Sequence, residues 1–369
     1  MPYVHERAGW PDLTWDSELL TSPLAAMRHK QGRLLGKMES LGFALRTEAG
    51  LATLTTDVVK TSAIEGETLN PDEVRSSLAR RLGLNIAGLP AAGRDVEAIV
   101  EVMLDATQRF DAPLTRDRLF GWHAALFSTA RSGMARMAIG AWRTGEFGPM
   151  QVVSGPLGRE TVHFEAPTPE RLDTEMSKFL EWFNTSSPSL DPVLKAAIAH
   201  FWFVTIHPFD DGNGRIARAI ADMALAHADG ASQRFYSMSS QIESERRQYY
   251  LRLESSQRGG LDITLWLEWF IGCLDRAIDS ADITLAAVLR KARVWQAVNR
   301  GKVNERQRLV INRLLDNFKG HLTTSKYATF AKCSTDTALR DIHELIERGI
   351  LVQNPGGGRS TSYSIAKPE

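Results

Sequence analysis

The stretch His207-Pro-Phe-Asp-Asp-Gly-Asn-Gly-Arg-Ile-Ala-Arg218 places a histidine, a carboxylate, a Gly-Asn-Gly turn and two arginines in one short run. Asp211, Gly212, Asn213 and Gly214 are poor helix formers, whereas Arg215 to Leu225 is good helical sequence, so the turn is expected to end at a helix N-terminus. Free amides there attract anions, and the run reads as a phosphate-handling layout.

A lone histidine is more often structural than reactive, but the neighbours of His207 change that reading. An imidazole titrates near neutral pH and can take a proton from an attacking hydroxyl. Asp211 offers a hard oxygen ligand for Mg²⁺, which commonly binds through one or two carboxylates plus phosphates and waters. Gly212 and Gly214 permit unusual backbone angles and close approach of a phosphate, and Asn213 adds a side-chain donor. Arg215 and Arg218, three apart, share a helix face and both reach a polyphosphate. A solvated face is the plain alternative for two arginines. Here both sit in a first helical turn, where cations oppose the macrodipole unless an anion compensates.

The run resembles the HPFx(D/E)GNGRxxR signature of Fic-domain proteins, with every fixed position present. The resemblance implies a helical Fic core and transfer of AMP from Mg-ATP to a protein hydroxyl, releasing pyrophosphate. His207 would then be the base for a target Ser, Thr or Tyr hydroxyl, and Asp211 the metal ligand. Asn213 and the Gly212 to Gly214 amides would hold the α and β phosphates, with Arg215 and Arg218 on the β and γ region. This agrees with the chemistry. Phosphoryl transfer is mainly positioning and electrostatic stabilisation, and the run supplies donors, metal ligand and base but no covalent nucleophile.

The 369 residues are too many for one average domain. Lys+Arg and Asp+Glu both number 44, so the whole-chain charge suggests no bulk attraction to nucleic acid or an anionic membrane. Cys273 and Cys333, 60 positions apart, argue against a disulfide framework or a zinc site and fit a reducing cytoplasm. The first residues lack a signal-peptide pattern and no apolar run approaches membrane-spanning length, so a soluble protein is expected.

The pattern predicts a mainly α fold. Helical spacing runs from Trp10 to about Asn70, with Leu34, Leu35, Met38, Leu41 and Leu45, then Leu51, Leu54, Val58 and Val59, near three-to-four spacing. Further helices are expected from Pro71, over Asp95 to Phe110 and over Thr115 to Thr129. Between Gly140 and Pro169 the texture turns to Gly, Pro and β-branched residues, and 150–164 reads as a β-hairpin. Helices resume at Pro169 to Phe183, at Pro192 to Ile206, which delivers His207, at Glu243 to Glu254 and at Ile263 to Lys291. The last segment predicts helices at Glu305 to Asp316, Thr324 to Lys332 and Ser334 to Arg348, then strands Ile350 to Gln353 and Ser362 to Ile365, a winged-helix pattern. The expected division is 1–110, an N-terminal helical region; 111–295, the Fic domain; and 302–369, the winged helix.

Two further resemblances concern control and substrate. Thr61-Ser-Ala-Ile-Glu-Gly66 resembles the inhibitory (S/T)xxxE(G/N) motif of autoinhibited Fic proteins, on a helix of about 55–66 that stops at Gly66. It implies that Glu65 pairs with Arg218 and excludes productive ATP. The same carboxylate permits a reverse chemistry in which water releases AMP from a modified protein. The hairpin resembles the Fic flap, which docks a target segment by strand addition. Val152 to Pro156 would be its edge, with Val153, Ser154 and Gly155 at the site. Tyr249 and Gln257 are chosen for the adenine, with Tyr250 beside them. Core packing is the plain alternative for that aromatic pair.

From Lys302 to Glu369 there are 11 Lys/Arg against 7 Asp/Glu, below the footprint of a dedicated DNA binder. Lys326, Lys332, Arg340 and Arg359 could touch phosphate, with Thr335 and Thr337 near a groove, if the third helix is a recognition helix. Docking to protein, including homodimerisation, is favoured because Asp336, Asp341, Glu344 and Glu347 put negative charge on that helix. The rival to an adenylylating enzyme is a winged-helix DNA-binding regulator with a vestigial Fic core.

Overall fold

Asp16, Asn70, Thr115 and Asp191 each precede a helix, and each accepts hydrogen bonds from its first amides. In the computed structural model these caps open a mainly helical chain. The structure describes residues 2–84, 90–127, 131–132, 135–146, 148–156, 159–187, 189–315, 318, 320–356 and 361–366. In order, the elements up to the hairpin are α1 (Ser17–Glu39), α2 (Phe43–Ile64), α3 (Pro71–Arg81), α4 (Arg94–Gln108), α5 (Arg116–Leu126), β1 (Arg131–Ser132), β2 (Ala135–Arg136), β3 (Gln151–Ser154) and β4 (Thr161–Glu165). Then follow α6 (Leu172–Thr185), α7 (Pro192–Ile206), α8 (Asn213–Asp229), α9 (Met238–Ser244), α10 (Arg246–Gln257) and α11 (Thr264–Val298). The chain ends with α12 (Glu305–Leu315), α13 (Thr324–Ala331), α14 (Thr335–Glu347), β5 (Leu351–Gln353) and β6 (Tyr363–Ile365). Contacts divide it into two compact units, Met1–Thr284 and Leu285–Glu369.

The first unit is built around the antiparallel pair α7 and α8. Helix α7 is apolar on every side and buried around its circumference, and Trp266 Nε1 of α11 donates to the Ala197 carbonyl at 2.8 Å. Helix α2 is fastened to α8 by a buried charge cluster. Arg234 lies 3.3 Å from Asp57 of α2 and 2.6 Å from Asp222 of α8, and all three side chains are buried. Burial pushes the Asp222 carboxyl up to about 7 even with Arg234 beside it. Such a buried cluster orients elements more than it stabilises them, because desolvation offsets most of the Coulombic gain.

The apolar stripe expected from Trp10 to about Asn70 is interrupted in the structure. Residues 7–16 are not helical, and α1 and α2 are separated at Leu41-Gly42, where Gly42 takes an extended N-cap conformation. Periodicity did not register this break because Leu41 and Leu45 keep the same stripe across the turn. The helix expected over Glu243 to Glu254 is likewise two helices, parted at Glu245, whose carboxylate is held by Arg276 at 2.6 Å. The α5 helix ends at Leu126; Thr129, to which it was expected to run, lies outside the described residues.

Strands β3 and β4 form an antiparallel hairpin, Gln151 opposite Glu165 and Ser154 opposite Thr161, with a bulge between Val152 and Val153. In the second unit α12, α13, α14 and the β5–β6 hairpin enclose a core that includes Val298, Val310, Tyr327, Ile342, Leu345 and Tyr363. Asp341, expected to charge the surface of the third helix, is instead 5% exposed. It accepts from Arg306 Nε at 2.9 Å, Asn304 Nδ2 at 3.1 Å and the Tyr327 hydroxyl at 3.2 Å, so it is a core anchor. Arg359 and Asp316 lie outside the described residues.

Candidate active site

The loop between α7 and α8 is held by its own side chains. Gly212 has φ +79, and a Cβ there would meet the Phe127 ring at 2.7 Å, so the turn requires glycine. Asn213 staples the loop: its Oδ1 accepts from Phe209 N at 3.0 Å and its Nδ2 donates to Phe209 O at 2.8 Å. Those two bonds orient the amide and use one of the two N–H donors on Nδ2, and the Asn213 backbone N–H lies at the start of α8. Asp211 Oδ1 accepts from Gly212 N at 2.6 Å, and Asp210 Oδ2 from Ala138 N at 3.0 Å.

His207 closes α7 in a left-handed conformation, φ 52 and ψ 57, which costs a non-glycine residue about 1–2 kcal/mol. Its Nδ1 donates to the Val204 carbonyl at 3.2 Å, which puts the proton on that nitrogen and leaves Nε2 as the acceptor. Burial pushes the pKa of the imidazole down to about 4, and Arg143 acts in the same direction, so the ring is the free base at neutral pH.

The two arginines of α8 meet two glutamates from the turn after α2. Arg218 donates from Nε to Thr61 Oγ1 at 2.7 Å, and from Nη2 to the Thr61 carbonyl at 3.0 Å and to Glu65 Oε1 at 2.7 Å. Burial opposes its charge, but Glu65, with Tyr249 and Tyr250 acting in the same direction, outweighs it and the Arg218 pKa is raised. Gly66, φ +88, turns the chain after Glu65 and brings Glu67 onto Arg215, with Nη1 2.9 Å from Oε1. The Arg215 guanidinium also lies over the Phe127 ring, 5.1 Å from its centroid. Nothing in the sequence reading marked Glu67; the available signal was its spacing, two after Glu65 as Arg218 is three after Arg215. Arg218 Nη1 and Arg215 Nε are buried without a hydrogen-bond partner among the described residues. Such orphaned donors beside a helix N-terminus suit an anion.

The residues chosen for the adenine lie deeper than expected. Tyr249 is 2% exposed, shares a 3.0 Å hydrogen bond with His200 Nε2 and packs on Trp266 and Trp269. Gln257 is buried, its Nε2 3.4 Å from Thr205 Oγ1. Tyr250, passed over in the choice, is the more open ring at 37% exposure, and its hydroxyl feels both Glu65 and Arg218.

On the hairpin, the Ser154 hydroxyl donates to His163 Nε2 at 2.6 Å, and His163 Nδ1 donates to Glu254 at 2.9 Å, tying both strands to α10. Arg258, the residue after α10, donates to the carbonyls of His163 and Val162 at 2.9 and 2.7 Å. That occupies the β4 side. The β3 edge, with Val153 48% exposed and Gly155 at φ +106, pairs with β4 alone among the described residues.

A profile described as the Fic/DOC family matches residues 113–225, and one described as a domain of unknown function, DUF4172, matches residues 3–84. The chain is 29% identical over 206 residues to protein adenylyltransferase fic-1 of Caenorhabditis elegans, covering 55% of this chain and 37% of that protein. It is 28% identical over 255 residues to protein adenylyltransferase Fic of Culex quinquefasciatus, covering 67% of this chain and 46% of that protein. The matches thus span less than half the length of these relatives. The fold is similar to the crystal structure of a Fic family protein from Desulfovibrio desulfuricans G20, with TM-score 0.50, 20% identity and 93% and 96% of the two chains covered. It is also similar to a Fic domain containing signaling protein from Bacteroides thetaiotaomicron VPI-5482, with TM-score 0.52, 20% identity and 72% and 97% covered. The Fic/DOC profile thus covers the central part of this chain, the part that carries His207 on its left-handed turn and the arginines of α8.

Proposed function

We propose that the chain is a protein adenylyltransferase that moves AMP from ATP to a hydroxyl of a protein. The observation that carries this reading is His207, with its proton on Nδ1 and Nε2 left as the acceptor, in the loop that leads into a helix start with two arginines whose buried donors lack partners among the described residues. His207 Nε2 takes the proton of the target hydroxyl while its oxygen attacks the α-phosphorus, and pyrophosphate leaves. The first amides of α8, with Arg215 and Arg218, hold the polyphosphate and its developing charge. Mg²⁺ commonly binds through a single carboxylate together with phosphates and waters. Asp211 would be that carboxylate, and the metal, when bound, neutralises phosphate charge. The β3 edge docks an extended target segment.

In this reading Glu65 is inhibitory, because its bond to Arg218 occupies a cation the nucleotide needs. The unit from Leu285 onward serves as a winged helix that docks protein. Among the described residues no helix is long and apolar enough to cross a membrane.

The test is incubation of wild type, Glu65→Gly and His207→Ala/Glu65→Gly with Mg²⁺ and α-labelled ATP, alone and with lysate. Label in proteins with the Glu65→Gly form and none with the double variant is expected. Absence of label in every background, with salt-dependent DNA binding, would replace the enzyme by the regulator. Glu65-dependent release of AMP from pre-labelled protein would favour the hydrolytic direction.

A further inference from the structure

The left-handed turn at His207 needs something to hold it, and one buried side chain does most of that work. Arg143, from the stretch between β2 and β3, is 3% exposed. Its Nε donates to the His207 carbonyl at 2.8 Å, and its backbone N–H donates to the Pro208 carbonyl at 2.9 Å. Its Nη2 donates to the carbonyl of Pro167, two residues beyond β4. Carbonyls of an irregular buried loop require donors, and a guanidinium with fixed fork geometry satisfies two while fixing their separation.

We infer that Arg143 is the positioning residue of the base: it fixes the His207 turn and ties it to the root of the β3–β4 hairpin. The imidazole direction and the seat of the hairpin are thereby coupled through one guanidinium. A target docked on the β3 edge and the nitrogen that accepts its proton are held in one frame. Arg143 also sets the charge around the ring. The charged groups that face His207 are Arg143 from this stretch, Glu65 from the turn after α2 and Asp211 from the loop, alongside the Val204 carbonyl of α7. Arg143 is the cation among them, and it favours the neutral base. Burial pulls the guanidinium down to about 10, which leaves it charged at neutral pH.

This inference rests on the adenylyltransferase reading, and the Glu65→Gly form is the parent for its test. Arg143→Gln removes charge and fork; Arg143→Lys keeps the charge, reaches fewer carbonyls and is the milder change should the first fail to fold. In both, kcat for AMP transfer is expected to fall on the order of 10²-fold, because a displacement near 1 Å at a reacting group costs that much. The KM for ATP should stay within about threefold, since the hydrogen bonds of Arg143 go to the carbonyls of His207, Pro208 and Pro167 and not to α8. The acid limb of the kcat profile should move upward by roughly half a pH unit or more in Arg143→Gln and stay in place in Arg143→Lys. A merely structural role would not move that midpoint. Retained kcat in a folded variant, a loss confined to KM, or an unmoved midpoint in Arg143→Gln overturns the inference while the parent's activity keeps the enzyme reading intact. An inactive parent sinks both.

Discussion

Glu65 and Arg218, 153 positions apart in the chain, meet at 2.7 Å, and the Glu65 carboxylate lies so close to Gly214 that a Cβ there would collide with it. The carboxylate therefore sits on the first turn of α8, where the helix dipole and the free amides favour negative charge. It occupies the place that the proposed function gives to the phosphates of the nucleotide.

Removing that carboxylate frees a buried cation for the nucleotide. A hydrogen bond between charged groups contributes about 1.5–3 kcal/mol, so Glu65→Gly is expected to raise AMP incorporation by about ten- to a hundredfold. Incorporation of label from α-labelled ATP reads this directly, and an unchanged rate removes Glu65 from any inhibitory role.

Gly214→Ala should reveal the same contact through stability. The added methyl meets Glu65, and overpacking of this kind costs about 1–3 kcal/mol. In the Glu65→Gly background the obstruction is gone, so the cost should shrink and the two changes should be non-additive. Urea unfolding of the four forms checks this; additive losses would mean that Glu65 is not seated where the contact places it.

The Arg215–Glu67 pair should be the weaker hold. Its glutamate is 48% exposed, and exposed pairs contribute about 0–1 kcal/mol and are screened by salt. Glu67→Gln is expected to tighten ATP binding by at most about fivefold at low ionic strength. The gain should vanish in concentrated salt. Calorimetric titration at two salt concentrations reads it, and a salt-independent gain would point to a contact other than this ion pair.

Acid should destabilise the first unit through its buried histidines. Burial holds His123 at about 4 and His200 at about 3, below the ordinary 6.5. A lowered histidine pKa means that the unfolded chain binds the proton first, so their contribution is complete above about pH 6.5 and is lost as pH falls toward 4. Asp222, pushed up to about 7, works in the opposite sense, because its folded form keeps a proton that the unfolded chain releases. The difference between wild type and His200→Gln isolates one histidine. Melting temperatures from pH 7 to 4.5 should fall more steeply for wild type, and parallel curves would contradict the assigned burial effect.

What could be read locally was read well. Pro192 and Asp191 mark the start of α7, its apolar run marks its burial, and the Gly-Asn-Gly turn marks where α8 begins. These depend on propensities and caps within a few residues of each other. Partners far apart in the chain were legible only where a motif named both, as with Glu65 and Arg218.

The sequence by itself determined most of the helices though not their breaks at Gly42 and Glu245, the turn between α7 and α8 and the inventory of groups at its tip. Only the tertiary structure decided that Glu67 takes Arg215, that the Asn213 amide bonds Phe209, that Tyr249 is core while Tyr250 is open, and that Arg143 holds the His207 carbonyl. The physical reason is that each outcome depends on how helices lie against one another. The angle of α2 on α8 is set in part by the buried Asp57–Arg234–Asp222 cluster, and no periodicity along either helix records it.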